Sequence, residues 1–382
     1  MRSISDTISR LAAASSRTAS PANDASSSLL AMQDFGSNPG ALCGFVHIPN
    51  GLPANAPLVV VLHGCTQSAA GYDRASGWSQ LADERGFALL YPEQRRSNNA
   101  NGCFNWFEAG DTRRDAGEAL SIRQMIATVQ ERHAIDPARI YVTGLSAGGA
   151  MTATMLATYP EVFAGGAIIA GLPHGVADGM VEAFDRMRAH GLPARVGLQN
   201  ALRGASSHRG PWPSVSVWHG SADMTVAVDN AEAVLAQWRG VHGLPEQPSI
   251  VEQIDGVTHR SWSTADGRTV LEDYIVPGMG HGTPLKTKGD GAYGVAAPYM
   301  LDVGISSTAR IARFWGLSKG DAADRRTPSA VPHTGSHGVS GPPARSEARR
   351  LPGRRIEPAT PGATAGVTKV IEDALRAAGL MK

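Results

Sequence analysis

The chain carries only three cysteines, Cys43, Cys65 and Cys103, in 382 residues, which excludes a disulfide-stapled scaffold. One disulfide with a thiol left over and three reduced thiols both fit that number. An excess of one charge is also missing. Thirty-five Lys and Arg stand against 34 Asp and Glu, a formal net charge of +1, so no overall field draws the chain to nucleic acid or to a membrane surface. No apolar run exceeds the length of a strand, which leaves no candidate for a membrane-spanning helix. Residues 1–11 lack the continuous apolar core of a secretory signal. Ile4, Ile8 and Leu11 would instead line one face of a short helix, and a cytoplasmic location is the expectation on sequence alone. No cluster with metal-ligand spacing and no cofactor-cradling glycine loop appears, so neither metal nor cofactor is expected.

What the chain does have is glycine and proline, 44 and 24 of them, a sign of many turns and of some sequence outside any core. Residues 1–35 read as a flexible leader, most plainly in the Ser-, Ala- and Thr-rich stretch 15–28. An early edge strand is expected over 41–49. Leu58 to Leu62, all Leu and Val, is the kind of run that a parallel sheet buries on both faces. Helical spacing follows around Trp78 and Leu81, and a strand is expected over 87–91. Residues 94–111 form a long polar loop carrying Cys103, Phe104, Asn105, Trp106 and Phe107. Ala119, Ile122, Met125, Ile126 and Val129 space a helix over 116–133.

Further strands are expected over 163–170, 215–219 and 270–276, the last strand of the chain, with a closing helix over 296–315. Strands alternating with helices predict one α/β domain over 36–317, a mostly parallel sheet covered by helices on both faces. Residues 318–364 are rich in Pro, Gly, Ala and Arg and read as a disordered basic linker. Residues 365–382 place Val367, Val370, Ile371, Ala374, Leu375 and Ala378 at the spacing of a short amphipathic helix, one that needs a surface to dock on.

The chemistry begins at Gly144-Leu145-Ser146-Ala147-Gly148. A β-branched run leads into this G-x-S-x-G and a helical pattern follows it, the context of a nucleophile elbow. A serine hydroxyl near its ordinary pKa is a poor nucleophile and needs a base within hydrogen-bond reach. In an open α/β sheet the place to look is beyond the carboxyl ends of the strands. Asp223 follows one strand and His281 another. His281 would take the serine proton, and Asp223 would hold its tautomer. A turn-forming aspartate is the plainer reading of Asp223. Asp229 and Asp255 are weaker rivals because neither closes a strand. His259, in a polar loop, and His219, too near Asp223 to be a separate arm, compete with His281; His219 reads as a residue that packs or orders its loop.

An oxyanion needs preorganised N–H donors, here the amides of Ala147 and, after the strand ending at Leu62, of Cys65. His63 shapes that turn and, with Asn105 and Trp106, is a candidate for substrate contact. Cys65 and Cys103 both fall near the site, so a disulfide tying the aromatic loop to the oxyanion loop is one reading and two buried thiols the other.

Together His63-Gly64-Cys65-Thr66-Gln67, Tyr91-Pro92-Glu93-Gln94, Cys103-Phe104-Asn105-Trp106-Phe107, the serine motif, His219-Gly220-Ser221-Ala222-Asp223 and Gly280-His281-Gly282 resemble the polyhydroxybutyrate depolymerase-type esterases of the α/β-hydrolase superfamily. The likeness is to the group with a mid-domain lipase box. It implies hydrolysis of poly- or oligo(3-hydroxyalkanoate) esters by Ser146, Asp223 and His281, with the amides of Cys65 and Ala147 as oxyanion hole. Feruloyl and acetylxylan esterases share the fold and similar motifs, so a carbohydrate esterase is the alternative. A non-catalytic polymer-granule binding protein is a third reading, opposed by the intact Ser, Asp and His set. The resembled family is mostly extracellular, and neither a signal peptide nor a polymer-binding module is recognisable here. The C-terminal helix is a candidate for docking on a polymer granule, and docking on its own domain is the plainer alternative.

Overall fold

The computed structural model describes residues 29–317; the proposed linker and C-terminal helix lie outside them. The β-branched runs form strands, and their period of two assigns alternate side chains to opposite faces. In strand β3 (Ala56–Leu62), Leu58, Val60 and Leu62 join one core while Val59 and Val61 join another. The sheet is therefore buried on both sides.

In chain order β1 (Leu30–Ala31) and β2 (Cys43–His47) precede β3, followed by helices α1 (Ala69–Ser76) and α2 (Trp78–Arg85) and strand β4 (Ala88–Glu93). Next come α3 (Ala109–Thr112), α4 (Gly117–Arg132), β5 (Ile135–Leu145), α5 (Ala147–Thr158) and β6 (Gly165–Ile169). Helices α6 (Met180–Met187) and α7 (Arg195–Gly204) lead to β7 (Ser214–Gly220) and α8 (Asp229–His242). The hairpin β8 (Ile250–Ile254) and β9 (Val257–Ser263) leads to β10 (Thr269–Val276), then β11 (Thr283–Leu285), β12 (Met300–Asp302) and α9 (Ser307–Phe314).

Ten strands share one sheet in the order β1-β2-β4-β3-β5-β6-β7-β10-β9-β8. The run from β4 to β10 is parallel, and the pairs at both edges are antiparallel. Helices α4, α5 and α8 cover one face through residues such as Ile122, Met151 and Leu235. Helices α1, α2 and α9 cover the other through Tyr72, Leu81 and Ile311. Each fully buried aliphatic of α4 contributes about 1.5–3 kcal/mol by leaving water.

Three expectations need correction. The ordered domain starts earlier than residue 36, because Leu30 and Ala31 pair with Val46 and Phe45, and Met32 and Phe35 enter the core. The strand over 270–276 is not the last: β11 and β12 form a small parallel pair after it. The closing helix is only Ser307–Phe314, since the chain before it carries β12 and an Ala297–Met300 bridge.

Candidate active site

Strand β5 delivers the chain to Ser146, whose backbone sits at φ 58°, ψ −116°. A non-glycine residue in such a conformation stores about 1–3 kcal/mol of strain and persists only where its surroundings hold it. Here the Ser146 amide donates to the Ile169 carbonyl at 2.9 Å, adding a rung to the β5–β6 ladder. Helix α5 then begins at once. A Cβ on Gly148 would lie 2.3 Å from the Leu62 carbonyl oxygen and 2.5 Å from that of His63, so only glycine lets α5 start against the end of β3. The Ala147 amide, in the first turn of α5, has no intrahelical acceptor by position. It points from the positive end of the helix dipole.

Asp223 and His281 arrive from β7 and β10, which are neighbours in the sheet. The loops after these strands are zipped together: Ser221 N–H donates to Val276 O at 3.0 Å, Ala222 N–H to Met279 O at 3.0 Å, and Gly278 N–H to Ser221 Oγ at 2.8 Å. A Cβ on Gly220 would come within 2.2 Å of the Met279 carbonyl oxygen, so glycine is required for this approach. Asp223 Oδ2 lies 2.7 Å from His281 Nδ1, and the carboxylate is 0 % exposed. Its Oδ1 accepts the amides of Thr225 and Val226, both at 2.9 Å. Burial opposes ionisation of Asp223, but the His219 and His281 hydrogen bonds, the His281 charge and the Val226 amide outweigh it. The carboxyl is held well below the usual carboxylate range. His219 Nε2 donates to Val226 O at 2.8 Å and stands 3.4 Å from Asp223 Oδ2, ordering the aspartate loop. With Nδ1 committed to Asp223, Nε2 of His281 is the nitrogen left to exchange protons.

The rival residues lie elsewhere. Asp229 opens α8. Asp255 turns the β8–β9 hairpin and pairs with Arg310 at 2.7 Å. His259, expected in a polar loop, lies within β9 between Glu252 and Glu272, at 3.0 and 3.1 Å.

On the opposite flank Cys65 and Cys103 are joined by a disulfide, and Cys43 is free. The amides flanking Cys65 are engaged: Gly64 N–H donates to Gln67 Oε1 at 2.8 Å and Thr66 N–H to Asn101 O at 2.7 Å. Trp106 packs edge-on against Phe107, with ring centroids 5.5 Å apart, in a cluster with Ala147 and Ala150. The aromatic loop thus borders the first turn of α5.

Two of the candidates for substrate contact have their polar atoms engaged within the protein. His63 is buried with both ring nitrogens occupied, Nδ1–H donating to Gly64 O at 2.8 Å and Nε2 accepting the Gln94 amide at 3.1 Å. Burial lowers its pKa to about 4, with the Gly64 carbonyl only partly opposing, so it stays neutral and shapes the loop from inside. The Asn105 side chain is likewise used internally, its Nδ2 donating to Asp111 Oδ2 at 3.1 Å and its Oδ1 accepting from Asn99 at 3.0 Å.

Residues 44–249 match the model of the family described as esterase PHB depolymerase. The chain belongs to that family. Poly(3-hydroxyalkanoate) depolymerase C of Paucimonas lemoignei is 48% identical over 293 residues, 76% of this chain and 70% of that protein. Feruloyl esterase B of Thermothelomyces thermophilus is 31% identical over 268 residues, 66% of this chain and 88% of that one. Among solved structures, an acetyl xylan esterase from Aspergillus awamori superposes with a TM-score of 0.64 at 24% identity, covering 76% of this chain and 99% of that one. This esterase is a carboxylic ester hydrolase of the α/β-hydrolase fold.

Among its described residues no cluster of three or more His, Cys, Asp or Glu could hold a metal ion, and no helix is long and apolar enough to cross a membrane. Two features of the site escaped sequence reasoning. Tyr299 lies edge-on to His281, with ring centroids 6.1 Å apart. Gln94 and Glu118 meet in a buried hydrogen bond behind the Cys65 loop. Tyr91-Pro92-Glu93-Gln94 stood out as a motif, but Glu118 reads in sequence only as an acidic residue in the first turn of a helix.

Proposed function

We propose that this esterase hydrolyses poly- or oligo(3-hydroxybutyrate) and related short-chain polyhydroxyalkanoates through a Ser146–His281–Asp223 triad and an acyl-enzyme. The observation that carries the mechanism is the 2.7 Å contact of Asp223 Oδ2 with His281 Nδ1 after strands of the same parallel run whose β5 delivers the strained Ser146. His281 Nε2 takes the Ser146 proton as Oγ attacks the ester carbonyl carbon. The carbonyl oxygen becomes an anion that the Cys65 and Ala147 amides receive. Collapse of this intermediate breaks the C–O bond, and the proton passes from His281 to the departing hydroxyl of the next monomer. Water then attacks the acyl-enzyme by the same route, releasing the hydroxy acid and restoring Ser146. The buried, ionised Asp223 stabilises the imidazolium in both halves of the cycle.

For the substrate the reading rests on the 48% identity to a poly(3-hydroxyalkanoate) depolymerase, against 31% to a feruloyl esterase. The test compares turnover of 3-hydroxybutyrate oligomers, amorphous polymer and methyl ferulate by the purified chain. The oligomers and amorphous polymer are expected to be hydrolysed much faster than methyl ferulate. Preference for methyl ferulate would replace this substrate assignment with a carbohydrate esterase.

A further inference from the structure

Glu118 is a buried carboxyl that the reaction above does not use. It sits in the first turn of α4 and is 1 % exposed. Its two oxygens serve two different segments. Oε1 accepts from Gln94 Nε2, and Oε2 accepts the Asn105 amide at 2.9 Å. Gln94 is the residue directly after β4. Its backbone N–H donates to His63 Nε2 at 3.1 Å, and its side chain also donates to the Cys103 carbonyl at 3.1 Å. One carboxyl therefore reaches the residue two before Cys65 and the residue two after Cys103. A further tie runs through Asp111, whose Oδ1 accepts the Glu118 amide and whose Oδ2 accepts from Asn105 Nδ2, both at 3.1 Å.

We propose that Glu118 is a positioning residue for ester hydrolysis: through Gln94 and Asn105 it holds the oxyanion loop and the aromatic loop in one register with Ser146. The inference rests on the triad reading above. The Cys65–Cys103 bridge and the Thr66–Asn101 hydrogen bond tie the two loops to each other but not to the helix behind them. Glu118 supplies that anchor, gripping the Asn105 backbone amide directly and the His63 ring through Gln94. Both partners present N–H, and each is met by one of the two carboxyl oxygens. Burying such a group without need is costly. Burial and the Asp111 charge push its pKa up to about 8, with the Asn105 amide and the Gln94 side chain opposing.

The test is Glu118→Gln, which turns one acceptor into a donor facing a donor. Active sites are counted with a serine-reactive fluorophosphonate run to completion, and kinetics are measured on a soluble 3-hydroxybutyrate oligomer. Misaligned oxyanion donors should lower kcat per counted site about tenfold or more, while KM moves less than about threefold. Gln94→Met removes the other arm and should show the same split; it decides the matter if Glu118→Gln does not fold. The double variant should lose less than the product of the two losses. Wild-type kcat per counted site in the folded variant, with only the melting temperature lowered, would reduce Glu118 to core packing and overturn the proposal. Failure of the triad reading is separate: it would appear as turnover surviving Ser146→Ala in an otherwise unaltered chain.

Discussion

Asparagine at position 223 changes one oxygen to an NH2 group and almost nothing in volume. The structure dictates which way the new amide must face. The amides of Thr225 and Val226 both donate to Oδ1 at 2.9 Å, so that corner must remain an oxygen. The NH2 group then takes the place of Oδ2, 2.7 Å from His281 Nδ1 and 3.4 Å from His219 Nε2. Facing a donor, Nδ1 of His281 must surrender its hydrogen and act as acceptor. The proton moves to Nε2, and the serine proton has nowhere to go. A wrong-tautomer change of this kind lowers kcat by about 10⁴-fold, equivalent to about 5 kcal/mol in the barrier. The assay is kcat per counted active site on a soluble 3-hydroxybutyrate oligomer at neutral pH, with circular dichroism as the check on folding. A folded Asp223→Asn variant within tenfold of wild type would refute the assignment. The carboxylate also contributes stability. Its folded pKa is depressed, so that contribution is present above the ordinary aspartate range and is lost as pH falls through the lower folded value.

Cys103→Ser opens a bridge between residues 38 apart in sequence, and chain entropy predicts a loss of about 4 kcal/mol of stability. Denaturation without reductant checks this, and an unchanged midpoint would contradict it. Glu118→Gln should alter the pH dependence of stability as well as kcat. The Glu118 carboxyl is pushed up to about 8 in the fold, so the folded chain binds a proton there that the unfolded chain releases above about 4.3. Its contribution is full below that value and fades as pH rises to about 8. Removing it should flatten the decline of melting temperature over that window, and an unaltered slope would mean that Glu118 is already ionised.

The frame of the site was legible because each part sits where a buried β-branched run ends. Leu58 to Leu62 precedes the Cys65 loop, Ile140 to Leu145 precedes Ser146, and the strands before Asp223 and His281 are similarly buried. The β8–β9 hairpin was missed because Ile250–Ile254 is an exposed edge strand of mixed polarity. Its Asp255-Gly256 turn, with both residues at positive φ (50° and 77°), was a hairpin signal in the sequence. Missing it also misplaced His259. The closing helix was overextended because apolar residues 296–305 pack as strand and bridge rather than as helix. His63, Asn105 and Glu118 belong to another category. Their partners lie on segments up to 31 residues away, and no local pattern distinguishes a ring that touches substrate from one that braces a loop.

The most direct measurement is turnover of a 3-hydroxybutyrate oligomer by Ser146→Ala. The side chain that leaves is the proposed nucleophile, while the amides proposed to receive the oxyanion and the Asp223–His281 pair stay in place. The expected result is a folded protein with kcat lowered by about 10⁴-fold or more. Turnover close to that of the unaltered chain would contradict the mechanism and place the reacting group elsewhere.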